Sequence, residues 1–506
     1  MLSESTMRRA CAAELELDQS LESTSGADIL PSKEVLQHAR SSLVTTISEE
    51  GLGLSNTVKH LKDDIVPALN LASQSPNYYG FVTGGVTPVA ALADNIVTAY
   101  DQNVQVHLPG ETIATEVEDR SLKMLCELLN FEPREWPHKT FTTGATASNI
   151  LGLACGREYV IAEAARRMNK SPVNVGDLGL AKALRLCGLD DIQILTTVPH
   201  SSLGKAASIV GIGRSSITLV GRPDAAHKFD LVKLEQILQA RSSAYIIAIS
   251  CAEVNTGLFA TSSAAEMLQL RELCNKYGAW IHVDGAFGLL VRLLDGHGYL
   301  NIRAGCDGIQ LADSITGDAH KLLNVPYDCG FFLSKHRALA ENVFRNSNAA
   351  YLNAGATDTS SIASPLNIGI ENSRRFRALP VYASLTAYGL SGYRDMLERQ
   401  IKLARGIARF ILRHPEYDLL PTTEADEENR LEYIYIIVLF RAKDDSLNED
   451  LVKHINATKK IYVSGTTWNG ASACRFAVSN WQVDVDRDLQ LVTDVLDRVA
   501  LVASHA

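Results

Sequence analysis

Lys321 follows His320 in GIQLADSITGDAHKLLNVPYDCG, residues 308–330, with an apolar pair directly after it. An amine beside apolar residues loses solvation of its ammonium form. That lowers its pKa and suits it to bond with a carbonyl carbon; a solvated lysine on a turn is the competing reading. Asp284 closes the apolar run in WIHVDGAF, residues 280–287. A carboxylate at the end of a buried strand is costly unless a partner holds its charge. A protonated pyridine nitrogen is one such partner, and the carboxylate then keeps the ring an electron sink. A helix cap or a metal ligand is the alternative, although no matching His/Asp cluster accompanies it for a metal. His200 stands just past a third apolar run, in VPHSSLGKA, residues 198–206, where a catalytic and a structural imidazole are both open. FTTGATASN, residues 141–149, is a small turn leading into a long amphipathic stretch. Backbone N–H groups at such a helix start can hold a phosphate, and the helix dipole favours the anion. Gly144 allows close approach, and Thr143, Thr146 and Ser148 offer hydroxyls, but the same residue types are ordinary helix caps.

The elements that must position these residues alternate. Short apolar runs at 191–199, 216–221, 245–251, 280–284 and 308–312 read as buried strands, with helices at 231–240 and 264–276 between them. This predicts an α/β fold with a mainly parallel sheet covered on both faces. Ligands on such sheets sit at the carboxyl ends of the strands, where His200, Asp284 and Lys321 fall. Upstream, 58–71 and 87–100 read as amphipathic helices. Between them SPNYYGFVTGG, residues 75–85, sets three aromatics beside glycines. It reads as a turn with buried aromatics or as a surface that meets a ligand or a second subunit. Beyond 386 a helix at 395–412, a strand at 433–440 and a helix at 486–502 predict a smaller α+β unit. The expected division is an N-terminal helical segment at 1–105, a large α/β domain at 106–385 and a small C-terminal domain at 386–506.

Composition narrows the function classes. Of 506 residues, 46% are hydrophobic and 21% charged, as in ordinary globular chains. A net charge of −10 argues against nucleic acid as the main partner. No apolar run is long enough for a membrane helix, and the first twenty residues carry no signal-like apolar core. A cytoplasmic address is expected. The nine cysteines include no C-x-x-C pair and read as reduced, mostly buried thiols, without a disulfide framework or zinc site.

In chain order, the glycine turn, His200, the D-x-A-F of Asp284 and the His320–Lys321 pair with its following PYDCG resemble the group II pyridoxal 5'-phosphate (PLP)-dependent decarboxylases. That family includes aromatic amino acid, glutamate, histidine and diaminobutyrate decarboxylases, and the resemblance runs from about Ser75 to about Arg377. It implies the aspartate aminotransferase-like fold (fold type I), PLP as cofactor, and a homodimer with shared active sites built through the N-terminal segment. It implies further that Lys321 is the Schiff-base lysine with His320 beside it, that Asp284 pairs with the pyridine nitrogen, and that Ala286 lies under the ring. His200 would stack on the other face. Gly144, Ala145, Thr146 and Asp318 would lie at the phosphate, and Asn255 and Thr256 near the ring oxygen. Tyr351 would be the loop tyrosine that protonates the substrate carbon, and Tyr78, Tyr79 and Phe81 would form the substrate-pocket loop. The activity implied is decarboxylation of an L-amino acid to its amine and CO2. Aldehyde formation or aminotransfer on the same scaffold, and an inactive scaffold, are the alternatives. Four residues depart from the family pattern: Leu322 for Trp, Gly285 for Ala, Glu253 for Gly, and Asp318 for Asn, the last a carboxylate where a phosphate is due.

Overall fold

The computed structural model describes residues 28–346 and 362–503. A seven-stranded sheet is formed by β1 (His138–Thr142), β2 (Asp191–Thr196), β3 (Ile217–Leu219), β4 (Ser243–Ser250), β5 (Trp280–Asp284), β6 (Ser314–Asp318) and β7 (Gly330–Ser334). Their order in space is β1-β7-β6-β5-β4-β2-β3. The five strands from β6 to β3 are parallel, and β7 runs antiparallel to both β6 and β1. This is the mainly parallel α/β sheet that the apolar runs predict. Side chains alternate across it, as a period of two requires. Ile247, Ile249, Ile281 and Val283 enter one core, and Ile246, Ala248 and Trp280 the other.

The helix Ala145–Arg167 covers the second face and lies directly on β5. Two glycines permit that approach. A Cβ at Gly156 would come within 2.9 Å of the Trp280 ring, and one at Gly152 within 2.5 Å of His282 Nδ1. The helix start is thereby held beside the carboxyl ends of β5 and β6.

One expected strand is corrected. Residues 308–312 form a 3-10 turn, Ile309–Leu311, and the strand is the next segment, Ser314–Asp318. That strand is polar in sequence yet buried throughout. Ser314 accepts a hydrogen bond from Trp280 Nε1 at 3.1 Å, a partner that no local pattern reveals. The segment expected as one helix at 58–71 is helical in three pieces: Leu54–His60, a π turn Leu61–Ile65, and a 3-10 turn Val66–Ala68. Pro67, which has no amide hydrogen, sits at the last break. The helix Pro88–Tyr100 has the expected extent, with proline in its first turn.

The C-terminal unit carries an antiparallel sheet of β8 (Tyr417–Leu420), β9 (Ile437–Ala442), β10 (Ser464–Trp468) and β11 (Ala471–Ala477), ordered β10-β11-β9-β8. The strand expected from 433 starts at Ile437 because the preceding residues serve the other core. Tyr435 and Ile436 belong to the large one, and Tyr435 Oη donates to the Phe287 carbonyl at 3.0 Å. The long helix Ala378–Arg413 is shared: Ala378 to Ile401 supply the large core, and Leu403 to Ile411 the small one.

Candidate active site

A cavity of about 380 Å³ opens at the carboxyl ends of β2, β4, β5 and β6. Its lining includes Gly144, Ala145, Thr146, His200, Asp284, Ala286, Asp318, His320, Lys321 and Phe81. Residues from Phe81 to Lys321 converge there, and apart from Phe81, which comes from a turn, they stand at or just beyond strand ends and helix starts.

Asp284 ends β5 and its carboxylate is held on both sides. Asn149 Nδ2 donates to Oδ2 at 2.9 Å, and the Ala286 amide to Oδ1 at 3.3 Å. A carboxylate offers about four acceptor positions, so capacity remains toward the cavity. Behind it His282 is fully buried, and burial pushes its pKa down to about 4, so the ring is neutral. The hydrogen bonds then run in one direction. Trp280 donates to Ser314 Oγ, the Ser314 hydroxyl to His282 Nδ1 at 2.8 Å, and His282 Nε2 to Asn149 Oδ1 at 2.9 Å. Asn149 Nδ2 serves Asp284 and also Ser202 Oγ at 3.2 Å, and Ser202 Oγ lies 2.8 Å from His200 Nδ1. The Ser202 amide donates to the same Nδ1 at 3.2 Å. His200 thus caps the helix Ser201–Ile209 with an accepting Nδ1, which leaves Nε2 as the protonated nitrogen of the neutral ring. Burial lowers its pKa, partly opposed by the nearby Asp284 charge.

Lys321 lies on a short helix after β6, and its Nζ is 2.9 Å from Asp318 Oδ2. The other Asp318 oxygen accepts from the Ala145 amide at 2.6 Å. His320 Nδ1 accepts from the Cys329 amide at 3.1 Å, and burial lowers the pKa of this ring too. Gly144 adopts a φ of 152°, and a Cβ there would lie 3.2 Å from His320 Cε1 and 3.4 Å from Asp318 Oδ1. The glycine keeps the turn open where the helix N–H groups face the cavity.

The segment 75–85 reaches the site from the far side. Tyr79 pairs its backbone with Tyr462 and Ala477 (2.8 and 2.9 Å), and Tyr78 stacks on Tyr462 at 4.4 Å. Tyr78 and Tyr79 are buried against the C-terminal unit and do not line the cavity, whereas Phe81 does and is 63% exposed. Phe81 and Val82 both have φ near +57°, a conformation that bulky residues rarely keep away from functional sites. Gly84 touches the Lys321 backbone: a Cβ there would run into the Lys321 carbonyl oxygen.

Asn255 and Thr256 stand behind the lining. Glu253 accepts from the Asn255 amide at 2.8 Å, the Thr256 amide at 2.5 Å and the Thr256 hydroxyl, and so closes that turn. Tyr351 lies outside the described residues.

Asn149, which holds Asp284 from behind the lining, and Arg475, which lines the cavity, escaped sequence reasoning. Asn149 sits within an ordinary amphipathic helix and carried no signal. Arg475 did carry one, a charge inside the apolar strand β11. It lines the cavity almost fully buried, donates to the Val254 carbonyl at 2.5 Å, and finds no partner for Nε among the described residues. Burial lowers its pKa.

The residues suit PLP. They provide an amide cradle kept open by glycine, a carboxylate anchored with acceptor capacity to spare, an amine, and a volume within the usual range for ligand sites, about 300–1,000 Å³. Asp318 alone opposes it, by bringing a negative charge to the cradle.

Residues 38–429 match the family model described as the pyridoxal-dependent decarboxylase conserved domain. The chain is 27% identical over 366 residues to an L-2,4-diaminobutyrate decarboxylase of Acinetobacter baumannii, covering 70% of this chain and 67% of that protein. It is 28% identical over 439 residues to tyrosine decarboxylase 2 of Arabidopsis thaliana, covering 83% and 74%. Its fold is similar to that of Catharanthus roseus tryptophan decarboxylase, solved in complex with L-tryptophan, with a TM-score of 0.77, 18% identity and coverage of 99% and 98%.

Proposed function

Because the chain belongs to the pyridoxal-dependent decarboxylase family, we propose that it removes the α-carboxylate of an L-amino acid as CO2 and returns a proton to the same carbon, releasing an amine. The observation that carries this reading is the convergence of Lys321, Asp284 and His200 on one cavity with an amide cradle at its edge. PLP, when bound, supplies an electron sink for the pair left behind by the departing carboxylate.

The chain's own residues do the rest. Lys321 would bond the cofactor's carbonyl carbon, and Asp284, fixed by Asn149 and the Ala286 amide, would keep the pyridine nitrogen protonated. Ala286 and His200, both lining the cavity, would hold the ring, and the Gly144–Thr146 turn would hold the phosphate. Arg475 offers a buried cation to an anionic group of the incoming amino acid. Phe81, at the mouth, limits water. The resemblance gives Tyr351 the return of the proton, with His200 Nε2 as the second donor within the cavity.

The reading includes a homodimer. Phe81 is exposed beside the cavity, and Leu92, Ile96, Tyr100 and Ile113 are exposed nearby in the chain, a grouping of large apolar side chains that a second copy would cover. Sedimentation at micromolar concentration should give twice the chain mass; an active monomer overturns this part. Free, buried cysteines throughout the described residues support a reducing, cytoplasmic address.

The deciding experiment incubates the PLP-loaded protein with basic, aromatic and acidic L-amino acids and scores CO2, amine and aldehyde by mass spectrometry. Equal amounts of CO2 and amine from at least one substrate are expected. Aldehyde in place of amine would reassign the outcome, and no product from any amino acid would overturn the reading.

A further inference from the structure

We propose that Asp318 is an internal anion that competes with the cofactor's phosphate for the Ala145 amide and ties down Lys321, so that PLP must displace it to bind. This rests on the reading of the Gly144 turn as the phosphate cradle.

The carboxylate lies almost fully buried at the end of β6. One oxygen takes the Ala145 amide at 2.6 Å, the first N–H of a 23-residue helix and the strongest point of its positive end. The other takes the Lys321 ammonium at 2.9 Å. His320 Nε2 stands 3.6 Å from the first oxygen. One side chain therefore satisfies the amide a phosphate needs and neutralises the amine that must bond to the cofactor. No other acidic side chain among the described residues makes either contact.

A phosphate arriving at this helix start meets a like charge a few ångströms away, in a site where solvent screens poorly. Asp318 must turn away from the Ala145 amide. The tie to Lys321 bears on every form of the cofactor, but the negative charge at the cradle weighs only against the phosphate-bearing form, which is therefore disfavoured more.

The test compares wild type, Asp318→Asn and Asp318→Ala, each stripped of cofactor. Binding of PLP, pyridoxal and inorganic phosphate is measured by equilibrium dialysis and by the shift in melting temperature. Circular dichroism confirms that each variant is folded, and the alanine variant serves if the asparagine variant is not. The expected result is PLP binding about tenfold or more tighter in the variants. Inorganic phosphate should raise the melting temperature of the variants but not of wild type, and pyridoxal affinity should change far less than PLP affinity. PLP and phosphate bound equally or more weakly by the variants would overturn the proposal, as would an equal gain for pyridoxal. Wild type that binds no PLP at all would instead strike the cofactor-site reading.

Discussion

Asn149 Nδ2 lies 2.9 Å from Asp284 Oδ2 and 3.2 Å from Ser202 Oγ, so one amide fixes the carboxylate at the end of β5 and, through the serine, the imidazole of His200. Its carbonyl faces His282, whose neutral ring it accepts from. Asn149→Ala should release both groups at once. A residue that orients a liganding or catalytic group typically contributes about 10–100-fold. We expect a loss of that order in kcat with PLP still bound, and a displaced pH profile. Unchanged kcat and profile would mean that Asp284 and His200 keep their positions without it.

Lys321→Ala should abolish turnover and the visible absorption of lysine-bound pyridoxal, while far-ultraviolet circular dichroism stays that of wild type. The lysine is one-fifth exposed, its Nζ meets Asp318 and stands 5.7 Å from the Phe287 ring centre, and Asp318 keeps the Ala145 amide without it, so the fold is expected to survive. Full activity in this variant would refute the site.

Asp284→Asn keeps the size of the side chain and removes its charge. PLP should still bind, with a rate at least about 100-fold lower, because the ring nitrogen loses the anion that keeps it protonated. Single-turnover kinetics at saturating cofactor separate this from weak binding. A wild-type rate would mean that Asp284 does not face that nitrogen.

Gly84→Ala tests the contact between the 75–85 segment and Lys321. The new methyl group would meet the Lys321 carbonyl and the fully buried Asn324 side chain. Either the segment or the lysine turn must shift, and overpacking of this kind costs about 1–3 kcal/mol. A lower melting temperature and weaker PLP binding should appear together. Loss of stability alone would show that the segment yields and the lysine does not.

Two buried histidines predict an acid-sensitive fold. Burial lowers the pKa of His138 and of His282 from 6.5 to about 4. Below pH 6.5 the unfolded chain therefore binds protons that the folded chain refuses, and stability falls as pH falls toward 4. Each ring contributes a loss of about 2 kcal/mol near pH 5. Urea midpoints at pH 7 and pH 5 measure it, and His138→Gln, which cannot titrate, should flatten the fall. A wild-type midpoint unchanged between the two pH values would contradict the buried neutral state.

The candidate site residues that converge on the cavity were legible because their types sit against strong local patterns. Asp284 ends an apolar run, Lys321 follows a polar turn, and a glycine turn opens a long helix. Hydrophobic periodicity also gave the strands β2, β3, β4 and β5 and the parallel sheet they form, since strands buried on both faces read as continuous apolar stretches. It failed at β6, where Ser314, Thr316 and Asp318 are buried in a strand while the more apolar 308–312 turns. Polar residues can be buried there because partners such as Trp280 and His282 satisfy Ser314 from the neighbouring strand, and pairing between strands is not written in either one alone. The same reason hid Asn149, whose side-chain partners Ser202, His282 and Asp284 come from distant segments, and left Arg475 unassigned, since only the packing of the C-terminal unit brings β11 to the cavity. It also decided what the Asp318 substitution means: the sequence named an out-of-place carboxylate, and the folded chain supplied the amide and the ammonium that hold it. Side-chain type and local period are properties of the chain, but hydrogen-bond partnership and electrostatic neighbours arise only when remote segments meet.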